Sequence, residues 1–151
     1  MRKTLRVVAL LALGAFSAQA QDLGMMKQGD VSFIAGGVGV GEREAMDAMK
    51  AQFNARLTFA VRKTGNFVAN VYLTVSDAKG AEVLKTNVPG PLLYAQLAPG
   101  EYRVSAVFQG ITQTRPLTVG ARGHRELYFY WDDPAAAETM ALNPERLKKW
   151  Q

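Results

Sequence analysis

The chain has 151 residues, no cysteine, a single histidine and a formal net charge of +5. Three of its eighteen basic residues, Arg2, Lys3 and Arg6, lie in the first twenty positions. The remainder therefore carries fifteen basic against thirteen acidic residues, a near-balance that argues against nucleic-acid binding. The absence of cysteine excludes disulfide staples, thiolate metal ligands and lipid attachment at an N-terminal cysteine, and a domain of about 130 residues can bury a core without them.

The positive start is followed by an apolar run from Val7 to Phe16 and then by Ala18-Gln19-Ala20, with small residues at the two positions a signal peptidase reads. This pattern predicts a secretory signal over 1–20, cleaved after Ala20, and a periplasmic location. The run is shorter than the ~20 apolar residues a bilayer requires, and no later stretch is longer, so no transmembrane segment is expected in the mature chain.

Residues 21–55 read as an N-terminal arm and a helix. The arm, 21–30, is polar and mixed, and 31–35 is a short apolar segment that can form a strand. The cluster Gly36-Gly37-Val38-Gly39-Val40-Gly41 fails both phosphate-loop tests. The dinucleotide fingerprint would need glycine where Glu42 stands, and a P-loop would need Lys and Ser or Thr where Glu42 and Arg43 stand. It predicts a tight bend before a helix. Glu42 and Glu44 open that helix and Lys50 closes it, which suits its dipole. Met46, Met49 and Phe53 recur at helical spacing, so the helix is amphipathic and expected to pack on its own domain over 42–53.

From position 56 the period changes from 3.6 to two. Seven short strands are predicted: 56–61, 71–75, 82–86, 92–97, 101–108, 111–119 and 125–131. They are separated by Thr64-Gly65-Asn66, Ser76 to Gly80, Pro89-Gly90-Pro91, Ala98-Pro99-Gly100, Gln109-Gly110 and Gly120 to Gly123, and Pro116 marks an edge or a bulge. Eighteen residues are expected to face inward: Leu57, Phe59, Val61, Val71, Leu73, Val75, Leu93, Ala95, Leu97, Tyr102, Val104, Ala106, Phe108, Leu117, Val119, Leu127, Phe129 and Trp131. The expected fold is mainly β, a seven-stranded β-sandwich over 56–131. After Trp131, Asp133-Pro134 and Asn143-Pro144 each resemble a helix start, so 132–151 is expected to be a short helical tail.

The run Leu97-Ala98-Pro99-Gly100-Glu101-Tyr102-Arg103-Val104 resembles the L-x-P-G-x-Y-x-V hairpin of carboxypeptidase regulatory-like domains, which are transthyretin-like (prealbumin-like) sandwiches. The resemblance widens over about 33–131 to small exported proteobacterial proteins, through Gly36 to Glu44, Ala69 to Val71, Gly90-Pro91 and the aromatic strand ending at Trp131. It implies an Ig- or transthyretin-like seven-stranded fold, a periplasmic setting and an accessory or binding role, with no reaction attached. A related group of adhesin repeats forms an internal Lys–Asn cross-link, but residues 125–131 contain no asparagine.

Catalysis finds little footing. His124 is the only histidine and sits in a turn-like Ala-Arg-Gly-His segment, with no G-x-S-x-G elsewhere. Metal binding would have to rest on His124 or the adjacent Asp132 and Asp133, which read as solvated. No carboxylate pair stands out as a glycosidase pair. No cofactor is expected, and the chain reads as a non-enzyme. Tyr128 and Tyr130 point to one face of the last strand, opposite Leu127, Phe129 and Trp131, and Tyr72 and Tyr94 are candidates to face outward as well. These four form the candidate face for an envelope protein or glycan, against the plainer expectation that the helix or the tail covers them. The favoured expectation is a periplasmic binding or interaction module working through a strand edge, an aromatic face or the tail. The alternatives are a glycan-binding domain using Tyr128 and Tyr130 and, least favoured, a small hydrolase.

Overall fold

The computed structural model describes residues 23–133. Nine strands occur there: β1 (Met26–Gln28), β2 (Val31–Gly36), β3 (Ala55–Val61), β4 (Val71–Asp77), β5 (Glu82–Val88), β6 (Leu92–Gln96), β7 (Gly100–Phe108), β8 (Ile111–Val119) and β9 (Arg125–Trp131). One helix, α1 (Val40–Met49), runs into a single 3-10 turn at Lys50–Gln52. The strands form two sheets, in the orders β1-β2-β6-β3-β9 and β5-β4-β7-β8. One core lies between them, filled from both sides by Phe33, Leu57, Phe59, Leu73, Leu84, Leu93, Val104, Phe129 and Trp131 among others.

The architecture is mainly β, as the alternation predicts, but the count of seven strands is corrected to nine. All seven predicted strands form. The two added ones precede position 55: Met26–Gln28, read as part of the arm, pairs with β2, and Val31–Gly36, where 31–35 reads as able to form a strand, pairs with β6. Residues 26–28 are all exposed and only three long, so periodicity could not mark them. In β2 the inward Val31 and Phe33 and the outward Ile34 are all buried, and a strand covered on both sides shows no alternation. The predicted signal at 1–20 and most of the predicted helical tail, 134–151, lie outside the described residues.

Of the eighteen predicted inward residues, all but Tyr102, Phe108 and Leu127 are buried, and those three pack half-buried against the same core. Each fully buried aliphatic or aromatic side chain contributes roughly 1.5–3 kcal/mol by leaving water. Three aromatics stack through the centre, with Phe59–Phe129 ring centroids 5.6 Å apart and Phe129–Trp131 centroids 6.1 Å apart. They meet because β3 and β9, far apart in sequence, run parallel with Phe59 opposite Phe129.

The glycine cluster is a bend before the helix. Gly39 has φ 84°, in the left-handed region, and α1 starts at the next residue. The Glu42 carboxylate folds back to accept the Val38 N–H at 2.6 Å. Its own helix therefore supplies the anion at this N-terminus, which is the physical reason the loop is not a phosphate cradle. Gly90 lies so close to the Gly36 backbone that a Cβ there would strike it, which accounts for the glycine at position 90.

The hairpin that carries the family resemblance is held by two clamps. The Tyr102 hydroxyl donates to the Ala98 carbonyl at 2.6 Å, across the Pro99-Gly100 turn. Asn54, just before β3, donates to the Leu97 carbonyl at 2.7 Å and accepts the Leu97 N–H at 2.9 Å. A side chain that satisfies both main-chain groups of one residue fixes the turn against the five-stranded sheet. Pro116 lies on β8, an edge strand of the four-stranded sheet, where its missing N–H costs no ladder bond.

Candidate functional site

The four tyrosines do not share one face. Tyr72 stands on the outer face of β4, in the four-stranded sheet, and is 65% exposed. Tyr94, Tyr128 and Tyr130 belong to the outer face of the five-stranded sheet, but only part of that face is open. Met46 and Phe53 cover Ile34 and Tyr94, with Met49 and Leu92 alongside, and Tyr94 is 8% exposed. Phe53 reaches this cluster from an extended residue after the 3-10 turn rather than from the predicted helix. Burial, and secondarily the charge of Asp47, pushes the Tyr94 phenol above its usual pKa.

The helix stops short of β9. Tyr128 and Tyr130 remain 43% and 37% exposed, with their rings nearly parallel at 8° and their centroids 6.2 Å apart. They are the middle of a row on the outward positions of the last strand: His124, Glu126, Tyr128, Tyr130 and Asp132. The Tyr128 hydroxyl donates to Glu126 Oε2 at 2.8 Å, and this bond is the main cause that lifts the phenol's pKa above the usual value. Glu126 Oε1 lies 3.8 Å from both Arg56 Nη1 and His124 Nε2. Arg56 is itself tied down by two bonds to the Lys50 carbonyl, at 2.9 and 3.2 Å. At the other end Arg62 Nε donates to Asp132 Oδ1 at 3.1 Å. The row is an exposed aromatic pair between two ion-paired ends.

The strand that carries this row is the edge of its sheet. Arg125 N–H donates to the Asn54 carbonyl at 2.8 Å, and Trp131 O accepts from Arg62 N–H at 2.6 Å. The odd-numbered residues of β9 thus turn their main chain toward β3. By alternation, Glu126, Tyr128 and Tyr130 turn theirs away from β3. Residues in this row were found from the sequence only where they are aromatic. Glu126, Arg56 and the edge itself gave no signal, because neither partner strand nor register can be read from composition.

His124 has Glu126 beside it and no serine hydroxyl bonded to it among the described residues. No group of three His, Cys, Asp or Glu among those residues is placed to hold a metal ion. Two open grooves lie elsewhere. One crosses the outer face of the four-stranded sheet past Lys79, Glu101, Arg103 and Thr114. The other lies between the β1–β2 turn and the Pro99 hairpin. No helix among the described residues is long and apolar enough to cross a membrane. No family model matches the chain, and no curated protein matches it.

Proposed function

We propose that the chain is a non-catalytic binding module exported to the periplasm, of the transthyretin-like, carboxypeptidase regulatory-like kind, and that it works through β9. The observation that carries this reading is the row on that strand: an exposed pair of parallel tyrosines on an edge strand whose Glu126 and Tyr128 main-chain groups face away from β3. Tyrosine supplies a large amphipathic contact area at small entropic cost, and a strand edge supplies main-chain pairing. The two-sheet architecture and the Tyr102–Ala98 clamp on the Leu97-to-Val104 hairpin support the fold-family reading. The tripartite leader supports export.

Crosslinking in an envelope extract tests this reading, with the exported chain compared with its Tyr128→Ala, Tyr130→Ala double variant and with a chain ending at Trp131. The expected result is one partner lost in the double variant. Retention of every crosslinked species would remove β9 from the function. Mass spectrometry of the secreted chain is expected to show Gln21 at the N-terminus.

A glycan ligand is the second reading, favoured by the parallel, exposed ring pair, which matches the stacking of sugar rings on aromatic faces. Titration with soluble peptidoglycan fragments is expected to move the Tyr128 and Tyr130 ring signals by NMR. If only main-chain signals of β9 move with peptides and none with glycans, this reading fails.

A further inference from the structure

The two edge strands β8 and β9 lie side by side along one flank of the molecule, and the seam between them is tied at both ends. At one end Trp131 Nε1 donates to the Ile111 carbonyl at 3.1 Å and Gln113 Nε2 donates to the Tyr130 carbonyl at 2.5 Å. At the other, Arg125 Nε donates to the Thr118 carbonyl at 3.3 Å. Such side-chain ties blunt an edge against unwanted pairing. Between these ties the side chain of Arg115 reaches from β8 toward β9. Arg115 shares the inward side of β8 with Leu117, and its guanidinium lies 5.6 Å from the centroid of the Phe129 ring. Its Nε is buried and has no hydrogen-bond partner among the described residues. A buried guanidinium N–H without an acceptor is costly, which makes this position a demand for one. By alternation Glu126 and Tyr128 turn their main-chain groups toward the same seam. The opposite flank differs: there Gln28 Oε1 accepts the Lys85 N–H at 3.0 Å, and neither β1 nor β5 contains an arginine.

We propose that this seam receives an extended peptide segment that carries a carboxylate. Its main chain pairs with β9 at Glu126 and Tyr128, and an aspartate or glutamate on its inward side accepts from Arg115. The proposal rests on the reading of β9 as the binding strand and adds the partner's chemistry. A strand laid beside β9 puts every second side chain on the Phe129 face, since cross-strand neighbours share a face, and Arg115 waits on that face. A guanidinium over an aromatic ring keeps its N–H edge for a planar acceptor, and a carboxylate fits that fork. Arg125 is occupied by Thr118, so the charge to be matched at the centre of the seam is that of Arg115.

The test uses the full exported chain labelled with nitrogen-15. Three synthetic eight-residue probes of alternating Thr and Val are titrated into it: one with a central Asp, one with Asn in its place, and the Asp peptide N-methylated at alternate backbone nitrogens. The Asp peptide is expected to move the Glu126 and Tyr128 amide signals and the Arg115 Nε–H signal. It is also expected to bind at least about tenfold more tightly than the Asn peptide. Arg115→Gln is expected to abolish that ratio, and the N-methylated probe to leave the signals unmoved. Equal affinity for Asp and Asn peptides, with Tyr128 still moving, would overturn the carboxylate and leave the β9 reading standing. No movement of Tyr128 with any probe would overturn both. Slow exchange of the Tyr128 amide in the free chain would also overturn the proposal. If independent of concentration it assigns the seam to residues 134–151, and if dependent it assigns the seam to a second copy. The Asp–Asn comparison is made on the probe, so it does not depend on a variant's folding.

Discussion

Tyr94 and Tyr128 occupy the same outward face of the same sheet, with β3 between their strands, yet one is sealed and the other open. Tyr94 lies beneath Met46 and Phe53, while Tyr128 has Tyr130 beside it and Glu126 on its hydroxyl. The strand pattern gives both the same orientation. What separates them is the reach of one ten-residue helix, which is anchored over β2 and β6 and ends before β9. Orientation is thus a property of a strand's own residues, and exposure is a property of what the rest of the chain lays over it.

The comparison breaks most visibly if the cover is removed. Phe53→Ala is expected to destabilise the fold by about 3–5 kcal/mol and to open Tyr94 to solvent, read by urea unfolding together with tyrosine accessibility. A smaller cost, about 0.5–2 kcal/mol, is expected for Glu42→Ala, which frees the Val38 N–H and loosens the start of the covering helix. Alkaline titration sharpens the contrast further. The Tyr94 phenol ionises above the ordinary value of 10.0 in the folded protein. Its contribution is therefore intact below pH 10 and is lost as the pH climbs from there through the folded-state pKa, because the unfolded chain releases its proton first. Tyr94→Phe is expected to flatten that part of the stability curve, measured by urea midpoints between pH 8 and 11. The smallest effect belongs to the open side: Tyr128→Ala and Tyr130→Ala are each expected to change stability by no more than about 0.5 kcal/mol while weakening binding. A loss of stability as large as that of Phe53→Ala would mean the pair is structural.

The seven strands from Ala55 to Trp131 were legible because alternation survives wherever one face is buried and the other is not. Leu73, Val75 and Val104 are examples, each flanked by more exposed neighbours. It weakened at β2, legible only as a segment that can form a strand, because helix and core bury both sides of Ile34 and Phe33, and it missed β1, whose three exposed residues are too few to show a period. In the candidate site, the direction of Tyr128 and Tyr130 was legible and the fate of Tyr94 was not, because a covering element is a tertiary fact. Arg115 was the least legible of all. It occupies an inward register position beside Leu117 and Val119, and a charged residue there reads as a break in the pattern until the strand is known to be an edge.

The parallel pairing of β3 with β9 bears on when the chain can fold. Phe59 acquires its stacking partners only after residues 125–131 are present, roughly seventy positions later. A nascent chain that lacks its last strand therefore has a half-built interior and a long loop still to close, and loop closure of that kind slows folding. The rings that join β3 to β9 are thus the last part of the interior to be assembled.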